Sequence, residues 1–309
     1  MKELVCKMCN SNEIVKKDDL FVCESCGTKY TTEEAEKLSV EVVLKNDNAE
    51  KIEALLRAAK RAREMSNQEA AAKYYEEILG LDPDRWEAVF YSAYCTAASC
   101  KIAQISSAAR LVHSALEPTY KLIKENVPKE QQLSAVTEVS AAASAIANML
   151  AEAAWNHYYN IDNSISYKYR GEMQERTSWA ALVAVDSGLY IDRIFGADCS
   201  AATVVSLTVG LRLSDIYGGI KTECINNVIA LLEKYAPEVI VKRKQRQANA
   251  IEQKKIQGII FLVLAVVCAI IGFGVCESGT FFAIWTQLMA GFFVIIGIVR
   301  LVQGNKKVL

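Results

Sequence analysis

Hydrophobic and polar positions follow three successive rhythms along this chain. Residues 20–22, Leu-Phe-Val, are a short apolar run between polar neighbours and read as a strand. From Thr31 to about residue 236 apolar residues recur at helical spacing, with Ala, Leu, Glu, Lys and Gln abundant and few prolines, so a series of helices is expected. Thr31 with Glu34 three residues on matches a capping box and should open the first of them. Further helices are expected at about 104–125, 129–159, 174–194, 199–214 and 221–235. Ile161 to Ser166 and Gly196 to Asp198 read as loops, and Tyr217 to Lys221 as a turn. The small residues from Ser140 to Ala154 suit a buried seam between helices rather than a membrane span, because Glu138 flanks them and Asn148 and Glu152 interrupt them.

The last rhythm is unbroken apolarity. Gly258 to Cys276 and Phe281 to Val299 are each nineteen residues without a charge, and at about 1.5 Å per residue each reaches the thickness of a hydrocarbon core, about 30 Å. Glu277 to Thr280 is short enough to connect only antiparallel neighbours, so residues 256–302 are expected to form a two-helix transmembrane hairpin. Charge sets its orientation. Lys242, Arg243, Lys244, Arg246, Lys254 and Lys255 precede the first run against Glu252 alone, and Arg300, Lys306 and Lys307 follow the second. The excess of positive charge on that side predicts a plasma-membrane protein with two spans and both termini cytoplasmic. Residues 237–255 would be a basic juxtamembrane helix, able to hold anionic lipid through those six cations, and 303–309 a tail. Trp285 is placed as an interfacial anchor, and the role of Cys276 beside the outer loop is open.

Chemistry enters with the cysteines. Cys6-Lys-Met-Cys9, thirteen residues, then Cys23-Glu-Ser-Cys26 has the spacing of a four-thiolate structural zinc site. Two residues between thiolates let both point at one ion from a tight turn, and two such turns complete a tetrahedron. Gly27 follows the second turn, where positive φ is needed. Four protein ligands leave no open position for a catalytic water, so Cys6, Cys9, Cys23 and Cys26 should hold one structural zinc. With no apolar leader at Met1 to Cys6, and the other cysteines scattered singly, the reading is a reduced, cytosolic head. Residues 1–38 sum to −2, which argues against nucleic acid as partner. The segment resembles the zinc ribbons at the N-terminus of bacterial membrane proteins that continue into helical repeats.

Ala71-Ala-Lys-Tyr-Tyr75-Glu-Glu-Ile78-Leu79-Gly-Leu81-Asp82-Pro83 resembles the second helix and closing turn of a tetratricopeptide (TPR) repeat. The resemblance implies Leu55, Ala58, Ala59 and Ala62 as first-helix packing positions, a turn at Ser66-Asn67 and a following helix from Trp86. One repeat cannot bury its own apolar face, so residues 102–236 would continue the stack as a solenoid or bundle. Ile78 is larger than is usual at its position and should loosen that packing.

The fold class is therefore mainly α. It comprises a zinc ribbon (1–38), a TPR-like repeat (39–101), further helices (102–236), the basic helix, the hairpin and the tail. His113 and His157 are the only histidines, and no phosphate loop, nucleophile elbow or metalloprotease motif occurs, so no enzyme is expected. The leading reading is a membrane-anchored adaptor binding a protein or peptide. The alternative is a membrane-bound regulator whose ribbon contacts nucleic acid.

Overall fold

A computed structural model of the chain describes residues 4–17, 19–274 and 280–305, with the backbone alone at 36–47, 271–274, 280–284 and 304–305. Of the expected outer loop at 277–280, residues 277–279 lie outside the described residues, as do Cys276 beside it and Lys306 and Lys307 of the tail, whereas Thr280 begins a helix. The chain divides into two compact units, Met1–Val228 and Ile229–Leu309.

The first unit begins with β1 (Ile14–Lys17), β2 (Leu20–Cys23) and β3 (Lys29–Tyr30), an antiparallel sheet in the order β1-β2-β3. Ile14 pairs with Cys23 and Phe21 with Tyr30, which brings the second cysteine pair beside the first. Helices follow: α1 (Thr32–Glu64), α2 (Gln68–Leu81), α3 (Trp86–Ala98), α4 (Ile105–Asn126), α5 (Lys129–Tyr159), α6 (Ser166–Phe195) and α7 (Ser200–Tyr217), and the boundary between the units falls within α8 (Thr222–Tyr235). Thr31 caps α1 as a full capping box with Glu34, its hydroxyl accepting the Glu34 N–H at 3.3 Å. One unbroken helix then carries the chain from the sheet to Glu64, so the boundary drawn at 38/39 falls inside α1. Asn67 caps α2, and α2 ends at Leu81, immediately before Asp82-Pro83. Ile78 is fully buried, so the larger side chain is packed rather than loosening its site.

Helices α1 to α4 pack each on the next, whereas α4, α5, α6 and α7 form a four-helix group. α6 starts at Ser166, eight residues before the position expected, because Asp162 organises the turn ahead of it. Its carboxylate accepts the Ser164 N–H at 2.8 Å and its carbonyl the Ser166 N–H at 2.9 Å. Gly196 to Asp198, expected as loop, belongs to a short 3-10 turn that runs from Gly196 to Cys199. Ala143, Ala147, Ala151 and Ala154 are fully buried along α5, where small side chains let neighbouring helices approach closely. A buried hydroxyl chain crosses the group: Tyr120 Oη lies 2.7 Å from Ser187 Oγ, Ser187 3.2 Å from Ser206, and Ser206 2.8 Å from Ser140, which donates to the Ala202 carbonyl at 3.0 Å. Every member has a partner, so the polar atoms are buried without an orphan. Pro118 within α4 is exposed, as is Ser114, whose carbonyl the missing N–H leaves free.

The second unit holds α9 (Pro237–Gly274) and α10 (Thr280–Asn305). Its apolar side chains point outward. Ile260, Val263, Val266, Ile270, Leu288, Phe292 and Ile295 are all more than half exposed. Two membrane-capable helices were expected, and this count needs correction. By length and composition four segments among the described residues are long and apolar enough to cross a membrane: Lys129–Tyr159, Ser166–Tyr217, Pro237–Ile270 and Trp285–Gln303. The first two carry enough alanine and branched residues to qualify even though protein covers much of their surface.

Candidate metal centre and the groove in the helical stack

Each cysteine pair sits in the same turn, written twice. The Cys6 carbonyl accepts the Asn10 N–H at 2.8 Å and its N–H reaches the Ser11 carbonyl at 2.9 Å. Cys23 repeats both bonds with Gly27 (2.8 Å) and Thr28 (2.9 Å). The residue after each second cysteine is in the left-handed region, Asn10 at φ 55° and Gly27 at φ 75°. Gly and Asn are the residues that enter that region at least cost. Gly27 was legible from its type, whereas Asn10 was not singled out.

The turns bring Cys6, Cys9, Cys23 and Cys26 together, with all four sulfurs within 4.8 Å of one another. Cys6 Sγ is 3.5 Å from Cys26 Sγ, and Cys9 Sγ is 3.5 Å from Cys23 Sγ. A disulfide needs about 2.05 Å, and all four are free thiols. A tetrahedron with arms of about 2.3 Å has edges near 3.8 Å, so the spacing suits one metal ion. Cys6 and Cys23 are buried, and Cys9 and Cys26 face solvent.

The electrostatics are those of four sulfurs crowded together. The Tyr30 hydroxyl accepts the Lys7 N–H at 3.1 Å and lies 3.0 Å from Cys6 Sγ, leaving its proton to donate to sulfur. That bond, above all, lowers the Cys6 thiol to about 6. Cys26 is lowered as well, chiefly by the Thr28 hydroxyl at 3.1 Å. The Ser11 backbone bond pulls Cys9 down, yet Cys26, loss of solvent, Cys23 and Cys6 together push it up to about 12. Ionising all four demands a cation between them. Tyr30 and Thr28 as sulfur partners were not recognised in the sequence. An aromatic and a hydroxyl shortly after the second pair were the available signal.

The stack offers a different chemistry. A groove of about 550 Å³ opens between the α2–α3 turn and the start of α5, lined by Asp82, Asp84, Glu87 and Glu138 with Arg85 and Trp86. Arg85 is committed to Glu53 at 3.0 Å and to Glu87 at 3.1 Å, so the groove is net acidic. Burial pushes the Glu87 carboxyl above the usual range. On Glu138, the Tyr91 hydroxyl donates at 2.5 Å and Arg63 lies at 3.8 Å, with the Arg63 guanidinium 3.7 Å over the Tyr91 ring. His113 Nε2 is 2.8 Å from Asp186 Oδ2 and joins α4 to α6, while His157 is exposed.

Fold and site together define a mainly helical protein with a small N-terminal sheet, a four-cysteine cluster that can bind a metal, and several strongly apolar helices. No protein-family model matches this sequence, no curated protein is similar to it, and no solved structure matches its fold.

Proposed function

We propose that the chain is a membrane-tethered adaptor, in which a zinc ribbon caps a TPR-like stack that binds a cationic peptide and α9 and α10 hold both in a bilayer. The observation that carries the binding role is the open acidic groove, whose one arginine is already paired. A peptide with Lys or Arg would meet Asp82 and Asp84, which no salt bridge engages among the described residues, beside the Arg85-paired Glu87, and Trp86 supplies an apolar wall. Zinc is the metal favoured by four thiolates in tetrahedral reach, with a structural role because no ligand position is open.

The choice of α9 and α10 for the membrane rests on burial. The apolar windows of Lys129–Tyr159 and Ser166–Tyr217 are 50% and 44% buried, against 11% for Pro237–Ile270 and 6% for Trp285–Gln303. Protein already takes the first two out of water, so lipid is required only by the second two. The charge asymmetry then favours cytoplasmic termini.

The full chain, expressed in cells and recovered in membranes, tests this. The expected result is one zinc per chain, retention in the pellet through carbonate extraction, and binding to arrayed Lys/Arg-rich peptides that D84N/E87Q weakens at least tenfold. Iron in place of zinc corrects the metal alone. Indifference of peptide binding to D84N/E87Q overturns the groove. Binding of nucleic acid that collapses steeply with salt instead favours the regulator.

A further inference from the structure

Three cations lie at the level of one end of the α9–α10 seam. A Cβ on Gly258 would meet the Leu301 side chain at 2.8 Å and the Gly297 carbonyl at 3.0 Å, and one on Gly297 would meet Leu262 at 2.9 Å. Phe261 stacks with Phe293 at 6.1 Å between centroids. Residue numbers rise on α9 as they fall on α10, so the two helices run antiparallel and Gly258 lies level with residues 297–301. Arg300 is therefore beside Gly258. Lys254 precedes Gly258 by four residues, on the same face and about 6 Å along the axis. Lys255 flanks it.

Lys254 and Lys255 are exposed and Arg300 half-buried. Among the described residues none of the three has an ion pair, whereas Lys244 of the upstream cluster is paired with Glu233 at 3.6 Å. Glu252, the acid nearest in sequence, lies two residues from Lys254 and so across α9 from it, and three residues from Lys255, on that lysine's side, so the group keeps a net positive charge. Like charges gathered at the mouth of a packed seam repel unless an anion sits between them. The apolar belt starts at the same level, with Ile259, Ile260, Ile298 and Val302 about half exposed.

We propose that Lys254, Lys255 and Arg300 form a headgroup site for an anionic phospholipid, its phosphodiester at the seam mouth and its acyl chains along the belt. This rests on the reading that α9 and α10 lie in a bilayer. It also narrows the six-cation stretch. α9 is one continuous helix from Pro237, so Lys242 to Arg246 stand roughly 18–24 Å from Gly258 along the axis. A tilt of about 20° shortens that little. The headgroup layer is only about 5–8 Å thick and the Debye length about 8 Å, so those four cations stand clear of the lipid.

The test is native mass spectrometry of the full, detergent-solubilised chain titrated with phosphatidylglycerol or phosphatidylcholine of matched acyl chains. The wild type is expected to retain phosphatidylglycerol roughly tenfold better. K254Q/K255Q/R300Q should bring the two lipids within about twofold, while K254R/K255R/R300K and K242Q/R243Q/K244Q/R246Q keep the preference. Loss in the upstream variant with retention in the seam variant overturns the site. So does displacement of the lipid by millimolar inorganic phosphate, which would mark a free-phosphate site. A wild type that stays in membranes through carbonate extraction yet shows no lipid preference overturns the site alone. One that washes out overturns the anchoring and the site with it.

Discussion

The ribbon and the helical stack lie in one unit of the chain and are ordered by different physics. Among the described residues the ribbon's core cluster is Cys6, Cys23 and Tyr30, with Leu4, Ile14 and Phe21 packed against them. Among the described residues the stack buries a large cluster running from Ile52 to Leu213, with Tyr75, Phe90, Leu116, Tyr120 and Ile146 among its fully buried side chains. A segment of about thirty residues cannot bury enough apolar surface to fold alone, whereas the stack can. The difference teaches that metal and packing are separable supports, joined here by α1.

The largest effect should come from removing the metal. A strong chelator, or Cys23→Ser, is expected to abolish amide protection across residues 4–30 while protection in α2 to α7 persists, read by hydrogen exchange. Loss of protection in both regions would break the comparison. The next largest probes the other side. Leu116→Ala, at a fully buried position, should destabilise the stack by about 2–5 kcal/mol in denaturant unfolding and leave metal affinity unchanged.

The smallest effect sharpens the ribbon itself. Tyr30→Phe removes the hydroxyl that lowers the Cys6 thiol to about 6 and is expected to weaken metal binding roughly tenfold. The sign with pH follows. A lowered thiol contributes stability above the ordinary thiol range and loses it as pH falls through about 6, so Tyr30→Phe should release metal at a higher pH than the wild type. A competition titration against a chromophoric chelator, run from about pH 5 to about pH 8 so that it brackets the lowered thiol, reads both.

Local chemistry was legible without the fold. The spacing of Cys6, Cys9, Cys23 and Cys26, the Thr31–Glu34 cap and the breaks at Asn67 and Pro83 act over a few residues, and the structure has them there. The Tyr120–Ser187–Ser206–Ser140 chain was invisible, because residues some sixty positions apart meet only after four helices have packed. The same holds for Arg63 over Tyr91 beside Glu138, and for the acidic groove they border.

The sequence by itself determined that four thiols would share a neighbourhood, that the rest would be helical, and that several helices would be driven from water. Only the tertiary structure decided which of those helices protein already covers. α5 is studded with buried alanines, while α9 and α10 turn their isoleucines and valines outward. Hydropathy measures how strongly a surface leaves water, and it is blind to whether protein or lipid receives it.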